Sequence, residues 1–241
     1  VTNKVYLELT PKQLGKKCCC FVVLSPGLGE GGILSGLPNV DFLFHLSRVQ
    51  NNVQFVIPNI NFRTSAVDPQ AGSVERAFSE SILYSLPIKS IHPQRQTLLI
   101  DLGDLLMSEK RDLPGVKALL PTILGTAYSI DEDKSYFKDV KAFPLNVEIA
   151  SIYGFSSDND SAVNYLPSVP DSRAFNLRIH YSFSEVPLND GSRPRLADER
   201  VGYFITAYKD FSDTSAPEPF VRYVTRRPIQ KHIPTTPLCP P

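Results

Sequence analysis

Large apolar residues alternate with polar ones along much of this chain, which is the period of a strand with one buried face. Residues 5–9 and 17–24 show it first and read as two strands separated by turns at Thr10-Pro11 and Gly15-Lys16. A glycine-rich loop over residues 25–36 follows. Residues 41–49 and 53–62 alternate again. Gln50, Asn51 and Asn52 between them tolerate the positive φ of a tight turn, so these two segments form the clearest hairpin. Phe42, Phe44, Phe55 and Ile57 are predicted to share its buried face. The period then lengthens. Val74, Phe78 and Ile82 recur every four residues with Ser73 placed to cap, which predicts an amphipathic helix of about three turns ending before Pro87.

Residues 97–102 read as a short apolar strand and 114–123 as a second short helix. Alternation returns from Ala142 onward, giving strands over 145–153, 175–183, 200–208 and 220–225. Strands, a helical insert around residues 73–125 and more strands, without regular βαβ alternation, predict an α+β fold of mainly antiparallel sheet. One domain is expected over residues 1–226. The remainder, 227–241, carries Pro228, Pro234, Pro237, Pro240 and Pro241 and reads as an irregular tail, because proline supplies no ladder donor.

Composition narrows the function classes. Lys plus Arg and Asp plus Glu number 25 each, so no net field marks the chain for nucleic acid or an anionic membrane. Proline at 21 residues, no tryptophan and a single methionine favour strands and turns over a helical bundle. No run of 18 apolar residues offers a membrane-spanning helix. The chain opens at Val1 with no charged segment and apolar core behind it, the expectation for a processed chain or one starting inside a longer protein. Cys18, Cys19 and Cys20 are adjacent, and neighbours in a strand point to opposite faces, so they read as small hydrophobes rather than a disulfide framework. Cys239, in the tail, is expected to be accessible.

Candidate chemistry is sparse. Gly27-Leu28-Gly29-Glu30-Gly31-Gly32 fits a dinucleotide fingerprint in letters, but Gly36 and Pro38 stop the helix that would have to meet the phosphates, so a surface turn is expected. Asp131, Asp133 and Ser135 begin like a calcium loop, yet Tyr136 and Ala142 stand where glycine and glutamate belong, so a solvated turn is preferred, as it is for Asp158 to Asp160. His45, His92, His180 and His232 are scattered without helical spacing, and no Gly-x-Ser-x-Gly elbow occurs. No catalytic residue and no metal ligand is assigned. The densest polar signal is Arg193, Arg195, Asp198 and Arg200 beside Tyr203. It reads as an arginine-carboxylate network at a strand's entry or as an interface, with Gly202 marking a bulge or close backbone approach. His180 is the further candidate beside it.

Those residues also carry a family resemblance. Arg193-Pro-Arg-Leu-Ala-Asp-Glu-Arg-Val-Gly-Tyr-Phe204 and Asp171-Ser-Arg-Ala-Phe-Asn-Leu-Arg-Ile-His-Tyr-Ser182 resemble the domain of unknown function that precedes the catalytic domain in bacterial zinc-dependent metalloproteases of metzincin type. Residues 42–55, 78–88 and 142–149 match in the same order, and the likeness covers most of residues 1–226. It implies an extracytoplasmic or secreted bacterial protein whose parent cleaves peptides with zinc, with the catalytic domain as partner and a peptide as substrate. None of the matching positions is a zinc ligand, so the cofactor is expected only in the catalytic domain. Near Arg227 the chain leaves the pattern, as a detached accessory domain would. Three readings compete. They are a non-catalytic accessory domain that scaffolds, shields or positions substrate, a free-standing sheet module for peptide or glycan with Tyr203, Tyr208 and Tyr223 as candidates, and an enzyme built on Asp198, Arg195 and His180.

Overall fold

The computed structural model describes residues 4–29, 32–108, 120–122, 124–125, 127–157, 167–171, 173–187, 193–212 and 220–225. They fold as a mainly antiparallel β protein with a few short helices, the α+β class that the alternation predicts. The chain divides into two compact units, residues 1–58 with 80–186, and residues 59–79 with 187–241.

The larger unit is one curled half-barrel sheet. Its strands are β1 (Tyr6–Leu9), β2 (Lys17–Leu24), β3 (Pro38–Val49), β4 (Asn52–Ile57), β6 (Ser81–Ile91), β7 (Leu98–Asp101), β8 (Ser129–Ala142), β9 (Asn146–Ser156) and β10 (Ala174–Glu185). They lie in the order β1-β7-β6-β4-β3-β2-β10-β9-β8, so β1 and β8 are the two end strands. Alternate residues pack one face into the core. Cys20, Val22 and Leu24 of β2 join Phe44 and Leu46 of β3, Tyr153 and Phe155 of β9, and Ile179 and Tyr181 of β10. The four-residue helix α2 (Gly103–Leu106) adds Leu105 and Leu106. The Tyr153 hydroxyl donates to the Leu106 carbonyl and lies 2.6 Å from that of Tyr181, so both buried phenols are satisfied.

The predicted hairpin is present as β3 and β4, with Gln50 at φ 53° in the turn and His45 opposite Val56. Phe44 and Phe55 are buried and stack at 5.4 Å, whereas Phe42 and Ile57 are half-buried. The second strand is shorter than predicted, because Pro58 follows β4 and Phe62 belongs to the other unit.

The predicted three-turn helix is corrected. Helix α1 (Ala71–Ala77) ends at Ala77, Ser73 lies inside it and binds Arg76 instead of capping, and Ser81–Ile91 is strand β6. Pro87 is tolerated because β4 pairs with β6 up to Pro87 and β7 begins to pair only at Ile88, so the missing donor faces no neighbour. Of the second predicted helix, residues 120–122 and 124 are helical, and 114–119 lie outside the described residues.

The smaller unit holds β5 (Phe62–Arg63), α1, β11 (Ile205–Asp210) and β12 (Phe220–Val224), in the sheet order β12-β11-β5. The strand predicted over 200–208 starts only at Ile205, and a Cβ at Gly202 would meet nothing within 4 Å, so that glycine serves neither bulge nor close approach. Phe62 and Phe78 stack at 3.9 Å, with Phe211 at 5.7 Å from Phe78. None of the unit's described residues is buried.

Candidate hydrophobic pocket

Small side chains beside large ones leave space inside the larger unit. On β2, Cys18 shares the inward face with Cys20 and lies across from Phe44 on β3 and Glu185 on β10. Phe44 in turn meets Phe55 face to face and Phe183 edge to face at 6.0 Å. Leu7 and Leu9 of β1 close the opposite wall, and the result is a cavity of about 120 Å³. Phe143, Pro144 and Leu145, in the connection from β8 to β9, form part of its lining. Leu145 is 66% exposed and Phe143 51%, so the apolar lining continues outward onto the surface.

The rim is polar and balanced. Lys16 Nζ donates to Glu185 Oε1 at 2.7 Å, and Gln13 stands beside them. Cys18 donates weakly to the Lys16 carbonyl at 3.7 Å. Burial pushes its thiol above the ordinary range, and the Glu185 charge adds to the shift. The thiol is therefore neutral and a poor nucleophile. The lining residues hold no histidine, and their one carboxylate, Glu185, is paired with Lys16.

Strands β9 and β10 also carry a polar cluster, one member of which, Asn146, lines the cavity as well. Glu148 accepts from Asn146 at 2.7 Å and from Ser182 at 2.7 Å, and His180 Nε2 lies 2.6 Å from its other oxygen. Burial opposes the charged Glu148, but the Ser182, Asn146 and His180 donors outweigh it and hold the carboxyl below its ordinary range. Ser182 spends its proton on the carboxylate and not on the imidazole, so the cluster ties the strands together and prepares no nucleophile.

Of the residues singled out from sequence, Asp198 and Arg200 meet in a fork, Nε to Oδ1 at 2.9 Å and Nη2 to Oδ2 at 2.6 Å. The Arg200 side chain and amide hold Asp198 down to about 2. Asp171 and Arg173 repeat this geometry in the other unit, and Asp171 is likewise held at about 2. The Arg195 charge adds to the lowering of Asp198, and its main-chain carbonyl accepts from the Val224 amide at 2.9 Å. Arg193 and Tyr203 are exposed. His180 belongs to the larger unit with Glu148, and neither it nor Arg195 or Asp198 lines the cavity.

The other motifs resolve locally. At Gly27 a Cβ would lie 2.2 Å from the Ile33 carbonyl oxygen, which accepts from the Leu28 amide, so the described residues of the glycine-rich segment form a turn and no helix. Asp131 is ion-paired to Lys134 at 2.7 Å within a bulge of β8. Among the described residues no three His, Cys, Asp or Glu side chains gather as for a metal ion. His232, Cys239 and Asp158 to Asp160 lie outside the described residues. The pocket itself escaped the sequence reading, although three consecutive residues with two large apolar side chains in a turn, Phe143 to Leu145, were a legible signal of it.

A family model described as "Domain of unknown function (DUF5117)" matches residues 39–232. No curated protein and no solved structure matches the chain.

Proposed function

The chain belongs to the DUF5117 domain family, and on that premise we propose that it is a non-catalytic accessory domain that holds polypeptide for a zinc-dependent metalloprotease. The observation that carries the binding half is the cavity between β1 and β10, whose walls suit an apolar side chain and whose lining contains no nucleophile paired with a base. The protease half rests on the ordered resemblance of residues 42–55, 78–88, 142–149, 171–182 and 193–204 to the region preceding metzincin-type catalytic domains. That parent is an extracytoplasmic or secreted bacterial protein, and the zinc belongs to its catalytic domain. A glycan is a poorer fit to the cavity than a peptide, because sugar hydroxyls require polar partners and the charged ones, Lys16 and Glu185, are already paired with each other at the rim.

The test has two arms. Fragments of unfolded casein should bind the purified chain and emerge uncut, with or without added zinc. A metzincin-type catalytic domain encoded next to this one should cleave the same fragments with a lower KM when this domain accompanies it. Cleavage by the chain alone removes the non-catalytic reading, and failure to bind any fragment removes the polypeptide-holding one.

A further inference from the structure

Resting on the polypeptide-holding reading, we infer that the cavity anchors one large apolar side chain of an extended peptide, which adds to the open edge of β1 as a further strand. Size selects the anchor. A cavity of about 120 Å³ is smaller than the roughly 300–1,000 Å³ of drug-sized sites and close to the ~150 Å³ that holds one benzene ring. One phenylalanine or leucine side chain fills it. A longer acyl chain does not fit.

The backbone selects the mode. β1 is an end strand of the sheet, and its inner edge is taken by β7, with Tyr6 opposite Asp101 and Leu9 opposite Leu98. Among the described residues no strand pairs with its outer edge, which leaves a row of main-chain donors and acceptors. Leu7 and Leu9 line the cavity, so a strand added beside them sends every second side chain the same way. The other end strand is guarded. β8 is interrupted by bulges and carries Lys134, Lys138 and Lys141, the features that discourage strand addition.

Charge selects the anchor's character. At the rim Lys16 is already paired with Glu185 at 2.7 Å, so neither a fatty-acid carboxylate nor a cationic side chain finds a free counter-charge there. The exposed Leu145 offers further apolar surface for the residues flanking the anchor.

The probes are four fluorescent nine-residue peptides of serine and threonine, blocked at both ends, with Phe, Leu, Ala or Lys at the centre, titrated onto the full chain by anisotropy. The Phe and Leu peptides should bind at least about tenfold more tightly than the Ala peptide, and the Lys peptide more weakly still. N-methylating the alternate amides that would face β1 should abolish binding, whereas methylating the other set should leave it. The Phe peptide should slow alkylation of Cys18 and not of Cys19, which lies on the other face. Leu145→Asp, a substitution at an exposed position, should weaken the Phe peptide several-fold without altering the fold. Equal affinity for the Phe and Ala peptides, or indifference to both methylation patterns, overturns the inference and leaves the polypeptide-holding reading in place. If no peptide binds while casein fragments do, the inference also falls alone. If neither binds, or dodecanoate alone protects Cys18, both fall.

Discussion

Phe55 shows how much rests on single side chains here. It is 2% exposed, stacks on Phe44 and also lines the cavity, so truncation removes ring contacts beside a space that is already empty. Phe55→Ala should cost about 3 kcal/mol, the lower part of the range for core aromatics, read as a lower denaturant midpoint with an unchanged slope. A midpoint unchanged from the parent would place the ring outside the core. The neighbouring cysteines offer a second check. Burial pushes Cys20 up to about 12, and it pushes Cys18 and Cys19 upward from the ordinary range as well. All three should alkylate more slowly at neutral pH than a free thiol, and Cys20 slowest of all, because access and thiolate fraction both fall with burial. Mass-spectrometric mapping that finds Cys20 modified first would refute this order.

At the level of elements, β8 and β9 are joined by an irregularity that invites a test. Pairing jumps from Asp131 opposite Gly154 to Tyr136 opposite Ile152, and Ser135 Oγ pins the bulge by donating to the Asp131 carbonyl and accepting from the Gly154 amide. A Cβ on Gly154 would come within 2.4 Å of Lys134 Cβ, which is no flexible chain end. Gly154→Ala should therefore destabilise by about 1–3 kcal/mol and raise amide exchange across residues 131–136. Normal protection there would show that the bulge yields freely. The Glu148 cluster gives a pH signature instead. Because its carboxyl is held below the ordinary value of 4.5, the unfolded state binds the proton more readily, so the contribution is present above that value and lost as pH falls through the folded-state value. Glu148→Gln should flatten the loss of stability below about pH 4.5, and parallel curves for variant and parent would deny the cluster any role. This bulge also explains what the sequence hid. β8 was not predicted at all, because five residues with four charges from Asp131 to Ser135 break the alternation, and an end strand tolerates charge that a central one does not. The β3–β4 hairpin was legible because turn and alternation are both local. β6 was lost to a proline whose harmlessness depends on where two other strands begin and end.

For the molecule as a whole, the legible and illegible parts separate by range. Fold class followed from alternation, whereas the pocket needs β1 to face β2, β3 and β10 across one cavity, and only the curled sheet supplies that. The two units also differ in a property that composition does not reveal. Among the described residues the buried ones all belong to the larger unit, and the smaller one is held by a short sheet, the Phe62, Phe78 and Phe211 stack, and Arg63 placed 4.0 Å over the Tyr208 ring. Aromatic stacking and a half-exposed cation–π contact contribute roughly 0.5–1.5 kcal/mol each, far less than a filled core. Local stability should follow this division. Amides of β11 and β12 should therefore exchange faster than those of β9 and β10, and lose protection at a lower urea concentration. Phe78→Ala should widen the gap by lowering protection in β11 while leaving β9 unchanged, since among the described residues Phe78 stacks on Phe62 and Phe211 of its own unit. Exchange that is equally slow in both sheets, with one coincident unfolding transition in the variant, would mean that the smaller unit draws its stability from the core of the larger one.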